Sequence, residues 1–373
     1  MTSFSQLPLL ETLVASLAEQ GIKTPTEVQV ETLKPLLEGR SLVGVSETGS
    51  GKTLAYVLPL LHQLKTLELK GSAVSSGGRP RGLVLVPARE LGEQVGRVFK
   101  SLTHGTRLRV RTALGGSKKQ IARQSVAGNF EILVATPGRL THLLEGGELR
   151  LDDIRTLVFD EADSLLDPGF LPVARRILGD CPRQVQLVMF SATLPPSLEK
   201  AVGALFDASP VRVRTQGSER LVPTLTTQNV EVIKGRRFDV LREVLTATPM
   251  VSSILFVNTR EQCDAIAEWL FEEDIRYVGY RGQMDRQERR DNLARFREGT
   301  VKLLLTTDLG SRGLDIARVE RVINVHLPRD LDNYLHRVGR TARAGREGLV
   351  VNLVTQRDQA LLAKIKKRAL KGR

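Results

Sequence analysis

Short apolar runs recur along the whole chain, and longer stretches with helical periodicity separate most of them. Near-continuous apolar strands that alternate with helices are typical of a parallel sheet buried on both faces. The pattern therefore predicts an α/β protein. The runs that we assign to strands are residues 42–45, 83–86, 132–134, 157–159, 187–190, 254–257, 303–305, 322–325 and 349–353.

The chain also contains an internal repeat. Residues 83–90 resemble residues 254–261, and residues 132–136 resemble residues 303–307, both at an offset of 171 positions. A chance match between apolar strands is the alternative, but the shared offset and the repeated Arg-Glu pair argue against it. We therefore predict two similarly folded domains. They are residues 1–210 and 227–373, joined by a linker over residues 211–226.

The composition narrows the class of protein. With 373 residues, of which 41% are hydrophobic, the chain can bury a core, and this excludes wholesale disorder. No apolar run approaches the roughly 18 residues that span a bilayer, and the first residues lack the layout of a signal peptide. Cys181 and Cys263 are too few for a disulfide framework, so we expect a reducing, cytoplasmic location. The five histidines form no His-x-x-x-His pair, which argues against a zinc site.

The formal charge of +13 suggests a polyanionic partner. Both halves share it, because residues 1–215 hold 26 basic and 21 acidic side chains while residues 216–373 hold 29 and 21. Aromatic residues make up only 4%, too few for extended base stacking. Any nucleic acid should therefore be contacted through its phosphates and sugars. Charge by itself is weak support for such a partner.

The strongest local signal is a glycine-rich segment, residues 46–53, which follows the first apolar run. Such a loop wraps backbone amides around phosphates at a helix N-terminus, where the helix dipole also favours anions. Lys52 would contact the β- and γ-phosphates, and the Thr53 hydroxyl would bind Mg²⁺. The strict pattern has glycine where this chain has Ser46. The loop residues that we expect to cradle the nucleotide are Thr48, Gly49, Ser50, Gly51, Lys52 and Thr53.

The run Asp160-Glu161-Ala162-Asp163 directly follows a predicted strand. In an ATPase of this kind, a carboxylate at the end of a neighbouring strand holds the metal. We expect Asp160 to hold Mg²⁺ through water and Glu161 to orient and deprotonate the attacking water. The alternative is that the acidic run only caps the next helix. The phosphate loop upstream favours the catalytic interpretation.

The second half contains the pattern His336-Arg337-x-Gly339-Arg340-x-x-Arg343. A solvated basic helix or a plain RNA-contact surface would also fit it. The second half has no phosphate loop of its own, however, so its arginines can complete the site of the first half. Arginines that reach the γ-phosphate accelerate hydrolysis by about 10³–10⁵. We assign this role to Arg340 and Arg343, and we place His336 with them in the catalytic set.

Together, these features resemble the DEAD-box family of ATP-dependent RNA helicases. The likeness runs from Phe4 to about Val354, and its motifs occur in the family's order. It implies two tandem RecA-like domains, each a mostly parallel sheet flanked by helices. It also implies ATP and Mg²⁺ as ligands, and RNA, bound through its backbone without sequence preference, as the partner.

The segment Gly21–Gln29 resembles the family's adenine-recognition motif. By that likeness, Gln29 would bind the adenine edge and Phe4 would stack on the adenine face. A second interpretation of Gln29 comes from the residues alone, because Thr26-x-x-Gln29 fits a capping box that opens a helix. The two interpretations are compatible.

Further segments match the family's RNA-contact and coupling motifs. The likeness implies that Gly313 and Asp315 contact the nucleotide, with Asp315 at the ribose, and that Ser191 and Thr193 couple hydrolysis to strand separation. Glycine, proline and threonine are also common at strand ends, so each match alone is weak. The implied RNA-contact residues are Pro87, Arg89, Gly115, Gly116, Thr136, Pro137, Gly138, Arg139, Arg260, Gly282, Thr306 and Thr307.

Several positions depart from the family's pattern, and none belongs to the proposed hydrolytic residues. Ala88 stands where threonine is usual, so one hydroxyl for an RNA phosphate is missing. The other departures are Arg281 for histidine, Arg286 for glutamine, Gly310-Ser311 for an alanine pair, and Ala342 for glycine.

The predicted activity is RNA-stimulated ATP hydrolysis, coupled by closure of two domains to local RNA unwinding or RNA–protein remodelling. The alternatives are an ATP-gated RNA clamp, a DNA-directed translocase and a small-molecule kinase; the kinase explains neither the repeat nor Arg340. We expect the protein to be a monomer that binds ribonucleoprotein partners and does not bind a membrane. Residues 364–373 carry six basic side chains and no acidic one, which fits a cationic helix end as well as an RNA anchor.

Overall fold

The computed structural model describes residues 3–47, 49–115, 123–166, 169–215, 224–233, 235–247, 249–281, 284–308, 319–342 and 346–371, without the side chains of Arg286 and of residues 368–371. The chain divides into two compact units, Met1–Ser218 and Glu219–Arg373. Within the described ranges, no helix is long and apolar enough to cross a membrane. Both cysteines are free thiols.

The first unit alternates strands and helices after a short 3₁₀ helix, Phe4–Gln6. Its strands are β1 (Leu42–Val45), β2 (Gly82–Leu85), β3 (Val110–Ala113), β4 (Ile132–Ala135), β5 (Thr156–Asp160), β6 (Gln186–Ser191) and β7 (Val211–Arg214). Its helices are α1 (Glu11–Glu19), α2 (Glu27–Leu37), α3 (Lys52–Leu69), α4 (Arg89–Thr106), α5 (Pro137–Glu145), α6 (Ala162–Leu165), α7 (Leu171–Gly179) and α8 (Pro196–Leu205).

The strands of this unit form one seven-stranded sheet in the order β3-β4-β2-β5-β6-β1-β7. Every neighbouring pair is parallel. The sheet is buried on both faces, because alternate residues of one strand enter different cores: Leu83 and Leu85 pack on one side, Val84 and Val86 on the other. All carboxyl ends of the strands therefore lie along one edge, where α/β proteins bind their ligands.

The second unit repeats this plan. Its sheet has the order β10-β11-β9-β12-β13-β8, again with parallel neighbours. The strands are β8 (Leu225–Glu231), β9 (Ser253–Val257), β10 (Val278–Tyr280), β11 (Leu303–Thr307), β12 (Arg321–Asn324) and β13 (Gly348–Val354). The helices are α9 (Arg237–Thr246), α10 (Arg260–Glu272), α11 (Arg286–Arg297), α12 (Leu331–Val338) and α13 (Gln359–Lys371), with a 3₁₀ helix at Gln356–Asp358.

The internal repeat corresponds to equivalent strand pairs. In the first sheet Gly82 pairs with Ile132, and in the second sheet Ser253 pairs with Leu303, which are the same two positions shifted by 171. Both pairs are parallel neighbours. The predicted fold class, two sheets of parallel strands flanked by helices, is confirmed.

The predicted linker differs from the structure at both ends. Val211–Arg214 is an edge strand that pairs with β1, and Leu225 already belongs to β8. The sequence Val-Arg-Val-Arg alternates apolar and basic residues, as an edge strand does when one face is solvated.

Candidate active site

The glycine-rich segment forms the turn between β1 and α3. Gly49 and Gly51 have φ angles of +88° and +89°, in the left-handed region that glycine adopts without strain. Gly51 is the N-cap of α3, so the first amides of an 18-residue helix point out of the turn. The Lys52 Nζ donates hydrogen bonds to the carbonyls of Ser46 (2.6 Å) and Glu47 (2.7 Å). This geometry suits a phosphate group.

Ser46, the position where the strict motif has glycine, is buried. Its hydroxyl accepts a hydrogen bond from the Thr215 Oγ1 at 2.9 Å, and its amide donates to the Ser191 carbonyl at 3.1 Å. The serine side chain therefore has a structural partner beneath the turn. Thr48, which we expected in the nucleotide cradle, lies outside the described residues, and Ser50 donates its hydroxyl to the Glu47 carbonyl at 2.8 Å.

Gln29 links the start of α2 to the glycine-rich turn. Its Oε1 accepts from the Thr26 amide at 2.9 Å, which completes the capping box that the sequence predicts. Its Nε2 donates to the Gly51 carbonyl at 3.0 Å. A Cβ atom on Gly51 would collide with this amide group, so the glycine is required here for space as well as for its φ angle.

Phe4 lies in the hydrophobic core with 2% exposure. A buried ring offers little open face to a base. Stacking on adenine, which the resemblance implies, would therefore require the first residues of the chain to shift.

Asp160 ends β5 with 3% exposure. Its Oδ1 accepts from the Glu161 amide at 2.9 Å, and its Oδ2 accepts from the Tyr56 hydroxyl at 2.7 Å. Burial raises the pKa of Asp160 to about 6, although Tyr56 and Lys52 favour the charged form. A buried carboxylate with a shifted pKa at this edge of the sheet is a feature of functional sites.

Glu161 adopts a left-handed backbone conformation, with a φ of 50°. Glutamate rarely adopts this conformation, and such strain is concentrated at functional sites. Glu161 is the N-cap residue of α6, but its side chain makes no capping hydrogen bond. The Glu161 carboxylate therefore does not cap the next helix, whereas the Asp163 Oδ1 accepts from the Ser164 amide in the first turn of that helix at 3.0 Å.

Asp163 connects the acidic run to the loop after β6. Its Oδ2 accepts from the Thr193 amide at 3.2 Å and from the Thr193 hydroxyl at 2.8 Å. Ser191 is buried beside this contact, and within the described residues its hydroxyl has no hydrogen-bond partner. The segments that we expected to act together in hydrolysis and coupling are thus in direct contact.

The donor set at this edge fits Mg²⁺ better than it fits zinc. The described residues contain no group of three or more His, Cys, Asp or Glu side chains that could bind a metal. Thr53 and Asp160 supply oxygen atoms, which Mg²⁺ prefers, and an ion held by few protein ligands keeps several of its waters. Two protein ligands would leave the remaining positions around the ion to water and phosphate oxygens.

Three predicted RNA-contact segments meet at the carboxyl edge of the first sheet, where strands β2, β3 and β4 end. The Arg89 Nη1 donates to the Gly115 carbonyl at 2.6 Å, and the Gly115 amide donates to the Thr136 Oγ1 at 3.1 Å. The loops after β2, β3 and β4 are therefore tied together. Gly116 lies outside the described residues. Pro87, Pro137, Gly138 and Arg139 lie at the same edge and are half-buried or exposed.

In the second unit, Arg337 belongs to the interior. It is 1% exposed and donates to both carboxylate oxygens of Asp308, at 2.6 and 2.7 Å. It also donates to the side-chain oxygens of Asn258 (2.7 Å) and Asn324 (3.1 Å) and to the His326 carbonyl (2.7 Å). This arginine fixes α12 to the loops after β9, β11 and β12.

A chain of asparagines extends this network across the sheet. Asn324 on β12 donates to Asn352 on β13 at 2.8 Å, and Asn352 donates to Asn229 on β8 at 2.8 Å. Arg340 follows α12, is largely buried, and donates from Nε to the His336 carbonyl at 3.3 Å. The network thus positions the segment that carries both His336 and Arg340. Arg343, Gly313 and Asp315, which we expected at the nucleotide, lie outside the described residues.

The remaining predicted RNA contacts of the second unit differ in accessibility. The Thr306 hydroxyl is buried and donates to the Tyr280 carbonyl at 2.8 Å, so this side chain holds neighbouring strands together. Thr307 is half-buried. Arg260 and Arg281 both form ion pairs with Asp264. Gly282 lies outside the described residues.

Family models match both units of the chain. Residues 26–201 match the model described as "DEAD/DEAH box helicase", and residues 236–345 match "Helicase conserved C-terminal domain". The DEAD-box ATP-dependent RNA helicase CshA of Bacillus cereus is 33% identical over 367 residues, which cover 98% of this chain and 68% of that protein. The ATP-dependent RNA helicase SrmB of Escherichia coli is 36% identical over 371 residues, covering 98% and 81%.

Solved structures share the fold over nearly the whole chain. The structure of S. cerevisiae Dbp5 bound to RNA and ADP BeF3 has a TM-score of 0.85 at 28% identity and covers 99% of this chain and 94% of that one. The structure of Mss116p bound to ssRNA and AMP-PNP has a TM-score of 0.84 at 22% identity, covering 98% and 77%. Both family models and the relatives agree with the motifs in the sequence, and the chain belongs to the DEAD-box family of ATP-dependent RNA helicases.

Proposed function

We propose that this protein hydrolyses ATP in a cycle that RNA stimulates, and that closure of its two domains uses the cycle to open short RNA duplexes or to remodel RNA–protein complexes. One observation carries the proposal. The first unit holds the phosphate loop and the Asp160–Glu161 pair, whereas Arg340 belongs to the second unit. Neither unit alone contains all of the residues to which we assign catalysis.

In the first unit, the amides of residues 49–53 and the Lys52 ammonium bind the phosphates of ATP. Glu161 orients the attacking water and accepts its proton. Thr53 and Asp160 hold Mg²⁺, which supplies charge neutralisation at the β- and γ-phosphates when bound. Gln29 senses the base and, through its bond to the Gly51 carbonyl at 3.0 Å, connects base recognition to the phosphate loop.

In the second unit, Arg340 and Arg343 approach the γ-phosphate when the domains close, with His336 beside them and Gly313 and Asp315 at the ribose. Arginines supplied in this way stabilise the charge that spreads over the transferring phosphoryl group. Thr193, held by Asp163, couples this closed state to strand separation. Hydrolysis is slow in the open state because the arginines are absent from the site.

RNA lies across the carboxyl edges of both sheets and is held by its backbone. In the first unit, the linked loops that carry Arg89, Gly115 and Thr136 form one preorganised surface, supported by hydrogen bonds of 2.6 and 3.1 Å. Thr307, Arg260 and Gly282 contribute from the second unit. The names of the relatives, which are RNA helicases, support RNA over DNA, and contacts to 2′-hydroxyls would enforce that choice.

Closure of the two domains predicts that ATP and RNA change each other's binding affinity, and this effect can be measured. If ATP and RNA both favour the closed state, each must raise the affinity for the other by the same factor. The Glu161→Gln variant allows ATP itself to be used, because it keeps the shape of the side chain and loses the base. Titrations of labelled RNA with and without Mg–ATP, and of Mg–ATP with and without RNA, give the two factors.

We expect Mg–ATP to raise the affinity for RNA, and RNA to raise the affinity for Mg–ATP, by the same factor, well above one. Factors of one would contradict closure. Glu19→Gln, an exposed position on α1, is the matched control and should leave hydrolysis unchanged. A strand-displacement assay with a short RNA duplex distinguishes an unwinding enzyme from an ATP-gated clamp, which would bind without separating strands. Competing RNA and DNA strands in the same assay test the DNA-directed alternative.

We further propose that the protein acts as a cytoplasmic monomer and meets ribonucleoprotein partners on its RNA.

A further inference from the structure

Tyr56 places a hydroxyl group against Asp160, one of the two residues to which we assign Mg²⁺. It lies one turn after Thr53 on α3, and its hydroxyl donates to the Asp160 Oδ2 at 2.7 Å. This hydrogen bond links α3 directly to the carboxylate at the end of β5.

The position of this hydroxyl is set by packing around the ring. Tyr56 is 1% exposed, and its ring lies 5.7 Å from that of Phe190 on β6, measured between centroids. Phe190 in turn has space only because position 44 of β1 is glycine, since a Cβ there would lie 2.5 Å from the Phe190 ring. The aromatic pair is held by the sheet, so Tyr56 does not depend on Asp160 for its orientation.

Asp160, by contrast, depends on its two donors. The terminal torsion of an aspartate is broad, so a carboxylate at the end of a strand can rotate unless hydrogen bonds fix it. Here the Glu161 amide holds Oδ1 at 2.9 Å and Tyr56 holds Oδ2 at 2.7 Å. An O–H donor to a carboxylate oxygen is among the stronger hydrogen bonds in proteins.

We propose that Tyr56 is a positioning residue of the ATP site, which holds the Asp160 carboxylate in the one arrangement that receives the Mg²⁺ of Mg–ATP. The inference rests on the proposed function, because it takes Thr53 and Asp160 as the residues that hold the metal. Tyr56 itself touches neither nucleotide nor metal. Its hydroxyl acts by limiting the positions available to the Asp160 carboxylate.

The Tyr56→Phe variant tests this role because it removes one oxygen atom and keeps the ring against Phe190. The measurement is equilibrium binding of a fluorescently labelled ADP, first in excess chelator and then over a titration of Mg²⁺. We expect the Mg²⁺ concentration at half-saturation to rise about tenfold, as is typical when a metal ligand loses a supporting hydrogen bond. The affinity for the nucleotide without Mg²⁺ should be unchanged.

Tyr277→Phe is the matched control, since Tyr277 is a half-buried tyrosine of the second unit and the same atom is removed. Its Mg²⁺ titration should coincide with that of the unmodified protein. An Asp160→Asn background provides the second comparison, because a residue that acts through the Asp160 carboxylate has no further effect once that carboxylate is gone.

The outcomes separate this inference from the function on which it rests. If Mg²⁺ does not tighten nucleotide binding by the unmodified protein, the proposed metal site fails. If Mg²⁺ does so and Tyr56→Phe behaves like Tyr277→Phe, the positioning role is overturned. The role is also overturned if Tyr56→Phe weakens binding equally with and without Mg²⁺, or if its effect persists in the Asp160→Asn background.

Discussion

At the scale of single residues, Ala342 occupies a backbone conformation that suits glycine. Its φ is 54°, in the left-handed region, where an L-residue with a Cβ loses roughly 1–2 kcal/mol. The residue lies between Arg340 and Arg343, in the segment to which we assign the γ-phosphate contacts. We expect Ala342→Gly to raise the free energy of unfolding of the second unit by about 1 kcal/mol or slightly less, because glycine also loses more chain entropy on folding.

Trp269, the one tryptophan of the chain, reports this transition. It lies buried in the second unit, so urea unfolding followed by tryptophan fluorescence is specific for that unit. Ala247→Gly is the control, since Ala247 has an ordinary φ of −64° and should lose stability on the same change. A loss of stability in Ala342→Gly as well would show that the backbone there is not strained.

Single residues also differ in whether the sequence alone could identify them as part of the candidate site. Lys52 and Asp160 could be placed in the candidate site because each belongs to a short motif whose spacing carries the chemistry, and the spacing Thr26-x-x-Gln29 predicted the capping box of α2. Tyr56 could not be predicted, because a tyrosine in an apolar helix is typical of a hydrophobic core. Its partner, Asp160, is 104 positions away in the sequence. Arg337 belongs to a motif that suggested ligand contacts, yet its side chain is used inside the fold. A motif identifies residue types, but it does not show which of them contact a ligand and which are buried in the fold.

At the scale of elements, the two halves of the repeat differ at one helix start. Thr259 caps α10 and forms a capping box with Gln262. Ala88, the same position shifted by 171, is the N-cap of α4 and has no side-chain oxygen to accept a hydrogen bond from the first amides of the helix. We expect Ala88→Thr to stabilise the first unit by about 1 kcal/mol, because it satisfies an amide that is otherwise open.

Amide hydrogen exchange over residues 89–106 is the appropriate measurement for Ala88→Thr, and slower exchange is the expected result. The reciprocal variant, Thr259→Ala, should cost the second unit a similar free energy, about 1 kcal/mol, in the tryptophan-monitored unfolding. Unchanged exchange in Ala88→Thr, together with the expected loss in Thr259→Ala, would mean that solvent already satisfies the open amides of α4.

The strands differ in how clearly the pattern of apolar residues in the sequence predicts them. The central strands are continuous apolar runs, so their positions and the α/β class follow from the sequence. The strands β3, β7, β8 and β10 lie at sheet edges or are short, and we did not predict them. Edge strands are partly solvated, so they carry polar residues and lose the apolar signal. The linker boundaries were misplaced for the same reason.

At the scale of the whole molecule, His326 makes the stability of the second unit depend on pH. Burial lowers the pKa of His326 to about 4, and the charges of Arg237 and Arg337 act in the same direction, against a smaller opposite effect of Asp358. The unfolded chain binds this proton near pH 6.5 and the folded chain only near pH 4. Stability therefore falls as the pH decreases from above 6.5 towards 4.

The expected loss between neutral pH and about pH 5 is about 1 kcal/mol or less from this residue, because solvent screens the charge of a half-buried histidine. His326→Phe should remove that part of the pH dependence, because a phenyl ring cannot bind a proton and the Nδ1 has no hydrogen-bond partner among the residues that the structure describes. Tryptophan-monitored unfolding of both proteins at the two pH values gives the comparison. An equal pH dependence in both would show that His326 titrates normally.

The central claim is that catalysis needs both units, with RNA bringing Arg340 to the nucleotide. The direct measurement is phosphate release from Mg–ATP with and without single-stranded RNA, for the unmodified protein and for Arg340→Ala. We expect RNA to accelerate hydrolysis by the unmodified protein, and Arg340→Ala to lower the RNA-stimulated rate by about 10³ or more. Equal rates with and without RNA, or an Arg340→Ala variant of unchanged activity, would contradict it.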